Sequence, residues 1–221
     1  MATNRPVPTF KVVLLGDSGV GKTVMFHQFR NGVYPIDPGA TVGSELLVKE
    51  MEFRNRKLKL QLWDTAGQER HQSVVAPYFR RAKAAVLVYD VTQQRTLDGL
   101  NSWYEQLRTY APVLPILVVG NKMDLLEPAG PVAGPTPVVR NGQSFATRIG
   151  AFSHQTISAR ETEQVKSMFD DLVCEVTEAA GFDIDRDNLL EKDAANPWAL
   201  EYSIETQRDS KVIALNSAVL M

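Results

Sequence analysis

An eight-residue segment, Gly16 to Thr23 (GDSGVGKT), contains the residue types that bind phosphate groups. Its glycines let the backbone curve closely around an anion and point successive N–H groups at the anion's oxygens. In this pattern we expect the Lys22 ammonium to reach the β- and γ-phosphates and the Thr23 hydroxyl to bind Mg²⁺. The pattern predicts a nucleotide and a metal ion, but it does not separate ATP from GTP. The predicted phosphate-binding residues of this loop are Asp17, Ser18, Gly19, Val20, Gly21, Lys22 and Thr23.

A second polar segment, DTAGQ, begins at Asp64 directly after an apolar stretch that ends at Trp63. In open α/β sheets, ligands lie at the carboxyl ends of the strands, so we expect this segment beside the phosphate loop. There the Asp64 carboxylate can hold Mg²⁺ through a water molecule, and the Gly67 N–H can meet a γ-phosphate oxygen. The Gln68 side chain can orient a water molecule that attacks the phosphate.

A third segment, Asn121 to Asp124 (NKMD), also follows a buried apolar run. A carboxylate at Asp124 can accept hydrogen bonds from N1–H and N2–H₂ of guanine, which adenine does not offer in that arrangement. We therefore predict a guanine site, with the Lys122 stem against the ring and Asn121 linking this loop to the phosphate loop. The weaker segment Ser158, Ala159 and Arg160 follows the last predicted strand, where the Ala159 N–H can bond guanine O6.

Hydrophobic patterning predicts the elements that position these loops. Continuous apolar runs are typical of parallel strands covered on both faces, whereas alternation is typical of a half-buried hairpin. The strands are predicted at residues 11–15, 84–89, 116–120 and 152–157, with an antiparallel hairpin at 45–53 and 57–63. Helices are predicted at 23–31, 97–110 and 161–180. The predicted fold class is α/β, three layers, with helices on both faces of a mostly parallel six-stranded sheet that carries one antiparallel edge hairpin.

Composition limits the possible functions. With 221 residues and 44% hydrophobic content, the chain is long enough for one well-packed domain. The formal net charge is −2, and no stretch collects lysine and arginine on one face, so no nucleic-acid partner is expected. The single cysteine, Cys174, excludes an intramolecular disulfide and suits the cytoplasm. No run approaches the roughly 20 apolar residues that span a bilayer.

The motifs GDSGVGKT, WDTAGQER, NKMD and SAR, together with Thr41, occur in the order and spacing of the Ras-related small GTPases, which the chain resembles. KLQLWDTAGQER and LVYDVT look most like the Rab branch, whose members regulate vesicle traffic. The resemblance implies a P-loop GTPase domain over residues 10–181 that binds GTP or GDP with Mg²⁺, and a monomer. It also implies recruitment from the cytoplasm to the cytosolic face of an endomembrane.

The resemblance further implies roles for particular residues. The Thr41 hydroxyl would complete the Mg²⁺ shell while its N–H contacts the γ-phosphate, and Tyr34 would lie edge-on to the guanine. Gly32–Gly43 and Gly67–Phe79 would be the two switches that meet the exchange factor, activating protein and effectors. Hydrolysis would be slow without an arginine from a partner, as it is in Ras. The residues implied in catalysis are Gln68, Lys22 and Thr41.

Several features depart from the family pattern. Leu46 stands where an aromatic residue is usual beside Trp63 and Tyr78, so effector recognition is expected to differ. A Pro/Gly-rich insertion is predicted at about 125–137, and a flexible tail is predicted at 182–221. The chain ends in SAVLM without a prenylation cysteine, so no lipid anchor is expected there, and membrane contact stays open.

Two alternatives remain at this point. One is a GTP-bound interaction module that has lost hydrolysis, although every side chain required for turnover is present. The other is an ATPase or metabolic kinase with a phosphate loop, against which NKMD argues because its aspartate selects guanine.

Overall fold

The computed structural model describes residues 7–35, 44–54, 56–65, 76–126 and 134–181. Six strands form one sheet in the order β2-β3-β1-β4-β5-β6. The β2–β3 pair is antiparallel and every other pair is parallel. The strands are β1 Thr9–Leu15, β2 Ser44–Phe53, β3 Arg56–Thr65, β4 Ala84–Asp90, β5 Ile116–Asn121 and β6 Ser153–Thr156.

Within the described residues, five helices and one short 3₁₀ helix accompany these strands. The helices are α1 Lys22–Asn31, α2 Ala76–Phe79, α3 Gln94–Tyr110, α4 Pro137–Ile149 and α5 Thr162–Ala179, and the 3₁₀ helix is Met123–Leu125. Every residue of β4 and β5 is buried. Because successive side chains of a strand point to opposite faces, helices must cover both faces of the sheet. The predicted three-layer α/β fold with a mostly parallel sheet is confirmed.

The hairpin has the predicted alternation, with Leu58, Leu60 and Leu62 of β3 buried and their neighbours more exposed. Strand β3 continues two residues beyond the predicted end at Trp63, so Asp64 lies within the strand rather than after it. The parallel register sets Asp64 opposite Leu14, near the carboxyl end of β1. The strand itself therefore carries Asp64 to the edge where the phosphate loop begins.

Helix α4 was absent from the sequence prediction. It begins inside the proline-rich stretch, where the Thr136 hydroxyl accepts a hydrogen bond from the Val139 N–H at 3.3 Å and Pro137 occupies the first turn. Proline suits that position because its fixed φ matches the helix and its missing N–H would lack an intrahelical partner there. Gly150, at φ 68°, ends the helix. Helix α4 thus begins at the last residue of the predicted insertion, of which residues 127–133 lie outside the described residues.

The hydrophobic core lies between the sheet and its helices. Its largest buried side chain, Trp103 of α3, packs in one cluster with residues of β4, β5 and α4. Among the described residues, no helix has the length and apolar character needed to cross a membrane.

Candidate nucleotide site

The predicted phosphate loop connects β1 directly to α1. Gly16 has φ 144°, and a Cβ there would lie 2.2 Å from the Val88 carbonyl oxygen, so only glycine fits. The Lys22 ammonium donates to the Gly16 carbonyl at 2.8 Å and to the Asp17 carbonyl at 3.0 Å. The Lys22 side chain therefore reaches back across the loop to its first residues, and its buried positive charge lies against the loop's backbone.

Asp64 contacts the start of α1 from the end of β3. The Thr23 hydroxyl donates to Asp64 Oδ2 at 2.5 Å, whereas Oδ1 is buried and makes no hydrogen bond with any described residue. Burial raises the pKa of Asp64, and the Thr23 hydrogen bond and the Lys22 charge partly oppose that rise. A buried carboxylate with a free acceptor beside a threonine hydroxyl has the oxygen chemistry that Mg²⁺ binds. The residues present therefore fit the predicted metal.

Asn121 connects three loops at the end of β5. Its Nδ2 donates to the Val20 carbonyl at 2.8 Å, which confirms the predicted link to the phosphate loop. Its Oδ1 accepts the Ala159 N–H at 2.9 Å, so the N–H that the sequence analysis assigned to guanine O6 bonds Asn121 here. A Cβ at Gly21 would lie 2.2 Å from Asn121 Nδ2, so the absence of a side chain at Gly21 lets the two loops touch.

Asp124 lies beside the segment that follows β6. Its Oδ1 accepts the Ser158 hydroxyl at 2.7 Å, and its Oδ2 pairs with Arg160 Nε at 3.3 Å. Each carboxylate oxygen has capacity for a further hydrogen bond. The Arg160 guanidinium also lies 5.4 Å from the centre of the Tyr34 ring. The two predicted base-recognition segments and Tyr34 are thus brought together.

Comparison with known proteins shows which family the chain belongs to. The model of the Ras family matches residues 11–178. The chain belongs to the Ras family. It is 36% identical over 189 residues to Ras-related protein Rab-30 of Homo sapiens, covering 85% of this chain and 87% of that protein. It is 40% identical over 168 residues to RABA4d of Arabidopsis thaliana, covering 76% and 72%. RGP2 of Oryza sativa subsp. japonica is 34% identical over 210 residues, covering 95% and 89%.

The chain is a Rab-like small GTPase, which hydrolyses GTP and acts in membrane traffic. Members of this family bind GTP and GDP. The alternative of an interaction module without hydrolysis is not favoured by these relatives.

One residue that anchors the base loop of this Rab-like GTPase escaped the sequence analysis. Asp90 ends β4, and its Oδ2 pairs with the Lys122 ammonium at 2.8 Å. Burial of Asp90 opposes ionisation, but hydrogen bonds from Lys122 and Thr92 outweigh it and hold the pKa of Asp90 below its usual range. The sequence does show a carboxylate, Asp90, at the end of a buried apolar run, which could have marked it as a candidate site residue. That Lys122 is its partner could not be read from the sequence.

Two glutamines also support the base loops. Gln28 of α1 donates to the Arg160 carbonyl at 3.1 Å and accepts the Thr162 hydroxyl at 3.0 Å. Gln164 of α5 accepts the Ser158 N–H at 2.9 Å. No sequence motif marks either residue, because the groups that they bond are brought near them only by the fold.

Some predicted site residues of this GTPase cannot be placed. Thr41, Gly67 and Gln68 lie outside the described residues, as do most of the two predicted switches. The described ends of the switches include Tyr34 and Tyr78. The Tyr78 ring lies 5.6 Å from that of Trp63, and Leu46 pairs with Trp63 across the hairpin.

Proposed function

We propose that the loops at the carboxyl ends of β1, β3, β5 and β6 form one site for GTP and GDP. In this site the backbone N–H groups of residues 17–23 bind the phosphates, and Asp124 selects guanine. The observation that carries the proposal is the position of Asn121, which hydrogen-bonds both Val20 of the phosphate loop and Ala159 of the segment that follows β6. These direct bonds tie the phosphate-binding and base-binding segments to each other, which supports a single site that spans both.

We expect Asp124 to select the base. The Ser158 hydroxyl and the Arg160 guanidinium hold its carboxylate in place, and the acceptor capacity that remains on each oxygen can receive the guanine donors. The Lys122 ammonium, held by Asp90, sets the position of the Lys122 stem that we expect to lie against the ring. Tyr34 would contribute its edge from the opposite side.

The metal site consists of Thr23 and Asp64, the latter through a water molecule, with Thr41 expected from the first switch. The buried Asp64 Oδ1 and the Thr23 hydroxyl are the described oxygens that fit Mg²⁺. When bound, Mg²⁺ would neutralise charge on the β- and γ-phosphates.

Hydrolysis in this site is an in-line attack of water on the γ-phosphorus. A bond forms from the water oxygen to phosphorus, and the bond from phosphorus to the β–γ bridging oxygen breaks, giving GDP and phosphate. Gln68 would orient the water, and the Lys22 ammonium would stabilise charge on the phosphate oxygens. We expect slow turnover without a partner's arginine, which would stabilise the negative charge that develops on the transferred phosphoryl group.

Partner binding would follow the nucleotide state. Loss of the γ-phosphate would remove its contacts with Thr41 and Gly67 and so release the switches at Gly32–Gly43 and Gly67–Phe79. An apolar patch that effectors could contact lies beside the switches. It consists of the half-buried Trp63 and Tyr78 and the exposed Leu46. We expect a monomer that is recruited to the cytosolic face of an endomembrane through these partners.

The substitution Asp124→Asn tests the base assignment. Xanthine carries a carbonyl where guanine carries the 2-amino group, so an asparagine amide can donate to xanthine but no longer accepts both guanine donors. We expect affinity for GDP to fall at least about tenfold and affinity for xanthosine diphosphate to rise, measured by competition with a fluorescent nucleotide. The exposed Asp98→Asn of α3 is the control. Unchanged GDP affinity in the Asp124→Asn protein would refute the site.

A further inference from the structure

The Asp17 side chain in the phosphate loop is directed at helix α3. Its Oδ1 accepts a hydrogen bond from Trp103 Nε1 at 3.1 Å. Both partners are buried, with Trp103 only 1% exposed. An indole N–H is a donor without acceptor capacity, so its partner must be an acceptor, and the Asp17 carboxylate oxygen fills that role.

Helix α3 is shaped to receive this carboxylate. Gly99 lies one helical turn before Trp103, on the same face. A Cβ at Gly99 would lie 2.7 Å from Asp17 Oδ2 and 2.9 Å from Oδ1, closer than a side chain can approach. Glycine lowers helix stability in a helix interior, so its presence here is explained by the close approach of the Asp17 carboxylate.

A carboxylate is an unexpected group in a loop that binds a polyanion. Like charges close together in a poorly solvated site repel one another, and neither is fully screened by solvent. An aspartate that turned toward the phosphates would therefore weaken nucleotide binding. The contact with α3 holds the Asp17 carboxylate against Trp103 and Gly99.

We propose that Trp103 and Gly99 are positioning residues for nucleotide binding, which hold the Asp17 carboxylate against α3 and away from the phosphates. The proposal rests on the phosphate-binding role proposed above for residues 17–23. It makes α3 part of the nucleotide site, although no residue of α3 is expected to contact the nucleotide.

The test uses release of a fluorescent GDP analogue from the full chain. Trp103→Phe keeps an aromatic side chain but removes the donor, and we expect GDP release to become about tenfold faster. Asp17→Asn removes the charge while its carbonyl oxygen still accepts from Trp103, and the GDP release rate of this single variant is the reference for the double variant. In Asp17→Asn/Trp103→Phe, release should lie within about twofold of the Asp17→Asn rate, because no charge remains to be held away from the phosphates.

Rescue by Asp17→Asn separates positioning from packing, because neutralising the carboxylate does not refill the space left by the indole. Leu107→Ala is the matched control. It removes buried volume from the same helix one turn later and should lower the Tm without changing GDP release. A double variant as fast as Trp103→Phe alone would overturn the proposal.

Gly99→Ala tests the same idea from a position that leaves the indole donor intact. Its methyl group would displace the carboxylate, so faster GDP release is expected and an unchanged rate would contradict the proposal. The parent protein separates this proposal from the proposed function. If the parent does not bind GDP, the proposed nucleotide site itself is wrong. If the parent binds GDP and both Trp103→Phe and Gly99→Ala release it at the parent rate, only the positioning role is wrong.

Discussion

Asp64 is the residue at which a buried negative charge and an unused acceptor coincide. Burial raises its pKa by penalising the charged form, and the Thr23 hydrogen bond and the Lys22 charge oppose that rise only in part. A bound cation would oppose it further, since an opposite charge nearby stabilises a carboxylate.

Asp64→Asn should weaken the response of the protein to Mg²⁺. The amide has the shape of the carboxylate but lacks its charge, so the Mg²⁺ concentration that half-maximally slows GDP release should rise about 10- to 100-fold. The measurement is GDP release across a Mg²⁺ titration, with EDTA as the zero point. Asp98→Asn on the exposed side of α3 should respond like the parent. If Asp64→Asn keeps the parent's Mg²⁺ dependence, Asp64 is not part of the metal site.

The elements that the sequence predicted are those whose signal is local. Continuous apolar runs predicted β4 and β5, because strands that are covered on both faces need apolar residues at every position. The alternation around Leu60 predicted the hairpin, because a strand that is covered on one face needs apolar residues only at every second position. Helix α4 was missed because its cap and first-turn proline lie in a Pro/Gly-rich stretch that is typical of a loop. The contacts of Trp103 with Asp17 and of Asp90 with Lys122 were not predictable, since they depend on which loops the fold brings together.

One contact between elements has a clear energetic role. The buried Tyr89 hydroxyl lies 2.9 Å from His154 Nε2, and His154 Nδ1 lies 3.1 Å from Gln143 Oε1. Burial raises the pKa of Tyr89 and lowers that of His154, so the phenol donates to a neutral imidazole. The Nδ1–H then donates to Gln143, and the network joins β4, α4 and β6. Gly142 of α4 provides the space for the phenol.

Gly142→Ala should therefore destabilise the protein, although alanine usually favours a helix by about 1 kcal/mol. A Cβ at Gly142 would lie 2.2 Å from the Tyr89 hydroxyl oxygen and 2.9 Å from His154 Nε2. We expect a loss of about 1–3 kcal/mol in the free energy of unfolding, measured with urea. Gly134→Ala, where a Cβ would meet no atom within 4 Å, is the matched control and should change stability by less than about 0.5 kcal/mol. Equal effects of the two substitutions would contradict this account.

At the scale of the whole domain, the proposed site joins segments from opposite ends of the sequence. The phosphate loop follows β1, whereas Ser158 and Arg160 follow β6, and Asn121 bridges them. A nucleotide bound across these loops would contact both halves of the sheet. Because it would bind the folded state and not the unfolded chain, its binding energy would add to the stability of the domain as a unit.

GDP with Mg²⁺ should therefore raise the Tm of the nucleotide-stripped protein in a concentration-dependent way. At a hundred times the Kd, linkage gives about 2.7 kcal/mol, which corresponds to a rise of about 5–10 °C for a domain of this size. ADP should give no comparable shift, since adenine lacks the donors that Asp124 accepts. In the Asp124→Asn variant the GDP shift should shrink while that of xanthosine diphosphate grows, which attributes the effect to base recognition rather than to the phosphates. A shift of equal size with ADP and GDP would mean that the phosphate loop alone holds the ligand and that Asp124 does not select the base.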